Sequence, residues 1–102
     1  MKLITVTALK EFSEKVTAIF RKADIHVFSA TDIVGFKDDS NHSLIDGWFS
    51  MGDVHFDSVL LFSFTEDEKA IKALQYIRDY NEENSGGFPL RAFILPVENS
   101  SH

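Results

Sequence analysis

Residues 55–74, HFDSVLLFSFTEDEKAIKAL, decide the fold, because two hydrophobic periods meet inside them. From His55 to Phe64 the residues are of β type, and Val59, Leu60, Leu61 and Phe62 are apolar at consecutive positions. At Thr65 the pattern turns helical. Thr65 with Glu68 three residues later spells a capping box, and Glu66 and Asp67 suit the positive end of a helix. Ala70, Ile71, Leu74, Ile77 and Tyr80 continue as a buried stripe. A strand therefore runs directly into an amphipathic helix.

The same alternation extends outward in both directions. Upstream, residues 2–7 form a first strand rich in Ile, Val and Thr. Leu9, Phe12, Val16, Ile19, Phe20 and Ala23 then share one helical face, which Asp24 ends. Residues 25–34, IHVFSATDIV, return to strand. Downstream, NEENSGG at 81–87 closes the second helix, with Gly86 and Gly87 supplying turn conformations. Residues 89–97, PLRAFILPV, are a fourth strand, followed by the polar tail ENSSH. The order is βαββαβ, an α+β chain. Its standard solution is the ferredoxin-like sandwich, an antiparallel four-stranded sheet with both helices on one face.

The chain's 102 residues, 44% hydrophobic with ten phenylalanines, suit one domain over 1–102 with a single core that takes in Phe12, Phe20, Phe62 and Phe64. A formal charge of −6 argues against nucleic-acid binding and against an anionic membrane surface. The absence of cysteine excludes disulfides, thiolate metal sites and cysteine nucleophiles. The apolar runs are too short to span a bilayer, and MKLITVTALKEF lacks the pattern of a signal peptide, so a soluble cytoplasmic protein is expected. Two helices cover one sheet face only. Val59 to Phe62 and Ala92, Phe93, Ile94 and Leu95 are nonetheless apolar at successive positions, on both faces. An oligomer that buries the second face is expected, with other copies of the chain as partner.

Between the second and third strands stands a long polar insertion, residues 35–53, GFKDDSNHSLIDGWFSMGD. Asp38, Asp39, His42, Asp46, Asp53 and His55 could offer oxygen and imidazole ligands to a divalent cation, with Asp38, His42 and His55 the chosen set. Trp48, an aromatic inside a polar loop, suits partner binding together with Asp38, Asp39, His42 and Asp46. His26 reads as a surface or hydrogen-bonded histidine at the start of the second strand. Ser43, Ser50 and Ser58 neighbour His42 and His55 only in sequence, and no nucleophile–base–orienter set emerges, so an enzyme is not expected.

MKLITVTALKEFSEKV, IHVFSATDIVGF, DSVLLFSF and AFILPVEN, in this order and spacing, resemble the PII-like signalling superfamily, the relatives of nitrogen regulatory protein PII. The resemblance covers almost the whole chain. It implies a trimer of ferredoxin-like subunits. The insertion at 35–53 would be a T-loop, an arm that meets a partner protein such as a transporter or enzyme. A small ligand, with no particular cofactor implied, would sit between subunits near Gly35, Phe36, Lys37, Gly86, Gly87 and Arg91. The lysine usual after the glycines of the last loop is missing from SGGFPLR. A triphosphate would meet only Lys37, Arg91 and Lys10 in a field of −6. A ligand other than ATP is expected. The alternative is a CutA-like trimer that binds divalent metal.

Overall fold

The computed structural model describes residues 1–36 and 55–102, with the backbone alone for His55 and Phe56. Four strands, β1 (Lys2–Leu9), β2 (Ser29–Phe36), β3 (His55–Thr65) and β4 (Arg91–Pro96), form one sheet in the order β2-β3-β1-β4. All neighbouring pairs are antiparallel. A short 3₁₀ turn (Lys10–Phe12) leads into α1 (Ser13–Lys22), and α2 (Asp67–Glu83) follows β3. This is the expected ferredoxin-like α+β sandwich.

Register decides what each residue faces. Ile4, Val6 and Ala8 of β1 stand opposite Ser63, Leu61 and Val59 of β3. These are buried, together with Val16, Ile19 and Phe20 of α1 and Ala70, Ala73 and Ile77 of α2. The core thus lies between the helices and one sheet face. The ring of Phe20 meets Phe28 edge-on at 5.2 Å between centroids, which closes the core beside α1.

Several boundaries differ from the expected ones, each for a local reason. Ala8 and Leu9 still pair with β3, so β1 runs two residues further and Leu9 is strand rather than helix. Asp24 ends α1 in the left-handed conformation, φ 66°. The Asp24 amide donates to the Arg21 carbonyl and the Ile25 amide to that of Phe20, at 2.9 and 2.8 Å. That is a Schellman closure, and its apolar contact comes from buried Ile25. Residues 25–28 are consequently a connection, tied to the sheet where the Ser63 hydroxyl donates to the Val27 carbonyl at 2.7 Å. The strand starts only at Ser29, and His26 lies before it.

The capping box does not form. Thr65 remains in the sheet opposite Lys2, the helix begins at Asp67, and Glu66 takes the N-cap position without a side-chain cap. Because the sheet sets where α2 starts, its buried stripe is Ala70, Ala73 and Ile77, and Ile71 is 62% exposed. Two alanines let the helix approach the sheet closely. β4 is shorter than expected, since Pro89 and Leu90 precede it and Val97 follows it.

The second face carries Leu3, Thr5, Thr7 and Leu9 of β1, Leu60, Phe62 and Phe64 of β3, and Arg91, Phe93 and Leu95 of β4, as alternation from the register requires. Phe62 and Phe64 therefore are not core: Phe62 is half-buried and Phe64 is 57% exposed. Tail residues Val97, Asn99, Ser100 and His102 border a groove of about 480 Å³ beside those two rings and do not seal it.

Leu61 is fully buried on the helix face, so the register makes it a folding residue rather than a surface one. Leu61→Ala is expected to lower the unfolding free energy by about 2–5 kcal/mol. Urea unfolding followed by circular dichroism checks this, and a loss under about 1 kcal/mol would contradict the placement.

Candidate functional site

Antiparallel pairing brings the C-terminal ends of β1 and β2 and the N-terminal ends of β3 and β4 to one end of the sheet. Phe36 and His55, which flank residues 37–54, face each other across β2 and β3. The insertion therefore leaves and re-enters the fold on adjacent strands. Gly35 is buried opposite Phe56, and Phe36 is 63% exposed.

The candidate ligand residues fall into two groups. Gly35 and Phe36 lie on the β2 edge, whereas Arg91 opens β4 on the other edge, preceded by Gly86 and Gly87. Three strand spacings, roughly 14 Å, separate those edges within one chain. Lys37, Asp38, Asp39, His42, Asp46, Trp48 and Asp53 lie outside the described residues, as does the side chain of His55. The metal set Asp38, His42 and His55 falls there entirely. Among the described residues no three His, Asp or Glu side chains gather as a metal site.

Lys10, a candidate cation, is engaged. Its Nζ donates to Asp32 Oδ2 at 2.9 Å. That hydrogen bond, with the charges of Asp32 and Asp57, holds the ammonium pKa above its ordinary value. Asp32 is 22 positions away in sequence, so no local pattern reveals the pair.

Gly86 and Gly87 lie in the turn that follows α2, where the Gly87 amide donates to the Asn84 carbonyl at 3.1 Å. Neither takes a left-handed φ, and a Cβ at Gly86 would meet nothing within 4 Å. What shapes this connection is Asn81, which no motif in the sequence marks. Its Nδ2 donates to the Leu90 carbonyl at 2.9 Å, and its Oδ1 accepts from the Leu90 amide at 2.8 Å. Both backbone groups of Leu90 are thus met by one side chain on α2, which fixes where Arg91 enters the sheet. The only signal in sequence is an asparagine on the last turn of a helix, a common residue there for other reasons.

At the opposite end of the sheet, Asp24, His26, Glu66, Asp67 and Lys69 line a groove of about 600 Å³. His26 Nε2 donates to Asp24 Oδ1 at 2.8 Å, and Lys69 Nζ stands 3.6 Å from Oδ2. The hydrogen bond from His26, then the charge of Lys69, holds the Asp24 carboxyl below its usual range. Both partners are on the surface, so the groove's ion pairs position side chains more than they stabilise the fold.

Two outcomes are expected. Asn81→Ala leaves the Leu90 amide and carbonyl unanswered and should cost about 1–3 kcal/mol. Thermal unfolding measures that cost, and hydrogen exchange should quicken selectively around Leu90. For Asp24, the lowered pKa means the contribution of its contacts is present above the ordinary aspartate value, about 3.9, and is lost as pH falls through the folded value. Lys69→Met should move the Asp24 midpoint upward in a carboxylate NMR titration. An unchanged midpoint would remove Lys69 as a cause.

No protein-family model matches the chain, and no curated protein matches it. Solved structures do. A provisionally assigned PII-like signaling protein from Thermus thermophilus superposes with a TM-score of 0.63 at 15% identity, over 91% of this chain and 80% of its own. It is one of 101 solved chains that match, and at 15% identity the likeness is one of architecture and not of site residues. The chain has the fold of that PII-like signaling protein, at 15% sequence identity.

Proposed function

We propose that this chain is a PII-like regulatory protein that works as a homotrimer. Residues 35–53 of its single domain, 1–102, are a T-loop-like arm. Asp38, Asp39, His42, Asp46 and Trp48 on that arm contact a partner protein, such as a transporter or enzyme, in response to a small ligand held between subunits. The protein acts in the cytoplasm and catalyses no reaction.

The observation that carries this reading is the place of the insertion within a PII-like fold: both its ends stand on adjacent strands at one end of the sheet. An arm anchored so narrowly can change its contacts without disturbing the core. The separation of Gly35 and Phe36 from Gly86, Gly87 and Arg91 supports a ligand between subunits. A neighbouring copy set edge to edge would bring a β2 end beside a β4 end. Phe64, Phe93 and Leu95, 57%, 42% and 44% exposed on one face, support assembly. Among the described residues no helix is long and apolar enough to cross a membrane, which fits an arm that reaches a membrane partner from outside the bilayer. No observation among the described residues favours the CutA-like alternative, which rests on Asp38, His42 and His55.

The expected mass by light scattering is three times the 11.6 kDa chain. Deleting Asp38 to Asp46 should leave that mass and the melting temperature unchanged while abolishing capture of one identified transporter or enzyme from cell extract. A monomeric chain at micromolar concentration, or a deletion that captures the same partner, would overturn the reading.

A further inference from the structure

Among the described strand residues, the sheet face away from the helices carries a single charged side chain, Arg91. Arg91 Nε is buried without a hydrogen-bond partner, and so is Thr5 Oγ1. These are the two such side-chain atoms among the described residues. Arg91 pairs with Thr7 and Phe93 with Thr5, so Thr5 and Arg91 are diagonal neighbours on that face. Diagonal Cβ atoms stand roughly 7–8 Å apart, within reach of one arginine side chain. Two unanswered polar atoms thus belong to diagonal neighbours on a face that carries Thr7, Leu9 and Ser58 beside Leu3, Leu60, Phe62, Phe64, Phe93 and Leu95.

Nor is this a loose strand end, because Asn81 holds both backbone groups of Leu90, the preceding residue. A buried N–H without an acceptor loses its hydration and gains nothing in return. Arg91 as a whole is only partly buried, so a surface that covers the face meets the rest of its guanidinium and must bring it an acceptor. A guanidinium takes a carboxylate through paired N–H donors, and a threonine hydroxyl donates to a free carboxylate oxygen. The chain has 16 Asp and Glu against 10 Lys and Arg, so a second copy carries carboxylates in excess.

We propose that Arg91 and Thr5 form one half of an intersubunit site, completed by a carboxylate of a second copy of this chain. The inference rests on the reading of this face as a subunit interface and names the group that answers the one charge among its described strand residues. In an apolar contact such a pair fixes the register of the two subunits, because misaligned packing leaves the arginine buried and unpaired.

The test uses the full chain. Subunits carrying Arg91→Lys, half of them labelled with ¹⁵N, are refolded together and treated with a water-soluble carbodiimide, which joins an amine only to a carboxylate in contact. Mass spectrometry should find position 91 joined to an Asp or Glu peptide in mixed-isotope form, which only an intersubunit link yields. In parallel, Arg91→Gln should raise the dissociation concentration of the oligomer about tenfold or more, with the circular dichroism spectrum preserved. An oligomeric wild type in which Arg91→Gln changes nothing, or in which only same-chain links form, overturns this assignment alone. A monomeric wild type overturns the interface reading and the site with it. If inorganic phosphate raises the melting temperature of the wild type but not of Arg91→Gln, and no mixed link forms, the acceptor is a free anion and the second-copy assignment fails.

Discussion

Eight successive residue pairs between β1 and β3, from Lys2 with Thr65 to Leu9 with Ser58, set the parity of the whole sheet. Side chains alternate with period two, so a slip of one residue would turn Ile4, Val6 and Ala8 away from the helices and bring Thr5 and Thr7 toward them. The three apolar residues are at most 4% exposed and have no other place to go. β1 also pairs with β4 along Lys2 to Thr7, so the same parity is handed to the far edge. Everything that distinguishes core from second face follows from this one register.

The register reaches the helices as well. Because Thr65 is still paired, α2 cannot start before the strand has cleared the sheet edge, and its phase is set by where that happens. Ala70 and Ala73 then face inward and Ile71 outward. At the same end of the sheet, Asp24 reverses the chain after α1, and the Ser63 hydroxyl ties down Val27. Packing fixes the ends of elements that local propensity leaves loose.

The same register places the features that bear on function. The polar insertion is flanked by paired residues, Phe36 and His55, and stands apart from Arg91 by the width of the sheet. Its anchoring and the second face's apolar residues lie on different parts of the molecule. In the proposed reading, assembly through the face and partner contact through the insertion would therefore be mechanically separable. Arg91 links the two regions: it opens β4 at the arm's end of the sheet and points its unmet Nε into the second face.

Sequence alone determined the order of elements, because apolar spacing of two or of three and four survives any packing arrangement. It determined that Val59 to Phe62 must face both ways, and the buried Leu61 and half-buried Phe62 agree. It also suggested an insertion over residues 35–53 by their polarity between two strands, but Gly35 and Phe36 belong to β2 and the remainder lies outside the described residues. Periodicity cannot say which face is which, and by itself it places Phe62 and Phe64 in the core. Nor could it foresee that Thr65 belongs to a strand, since a capping signature is local and pairing with Lys2 is not. Asn81 with Leu90 and Lys10 with Asp32 are meetings of residues 9 and 22 positions apart. Their partners are chosen by how helices and strands pack, and only the tertiary structure makes that choice.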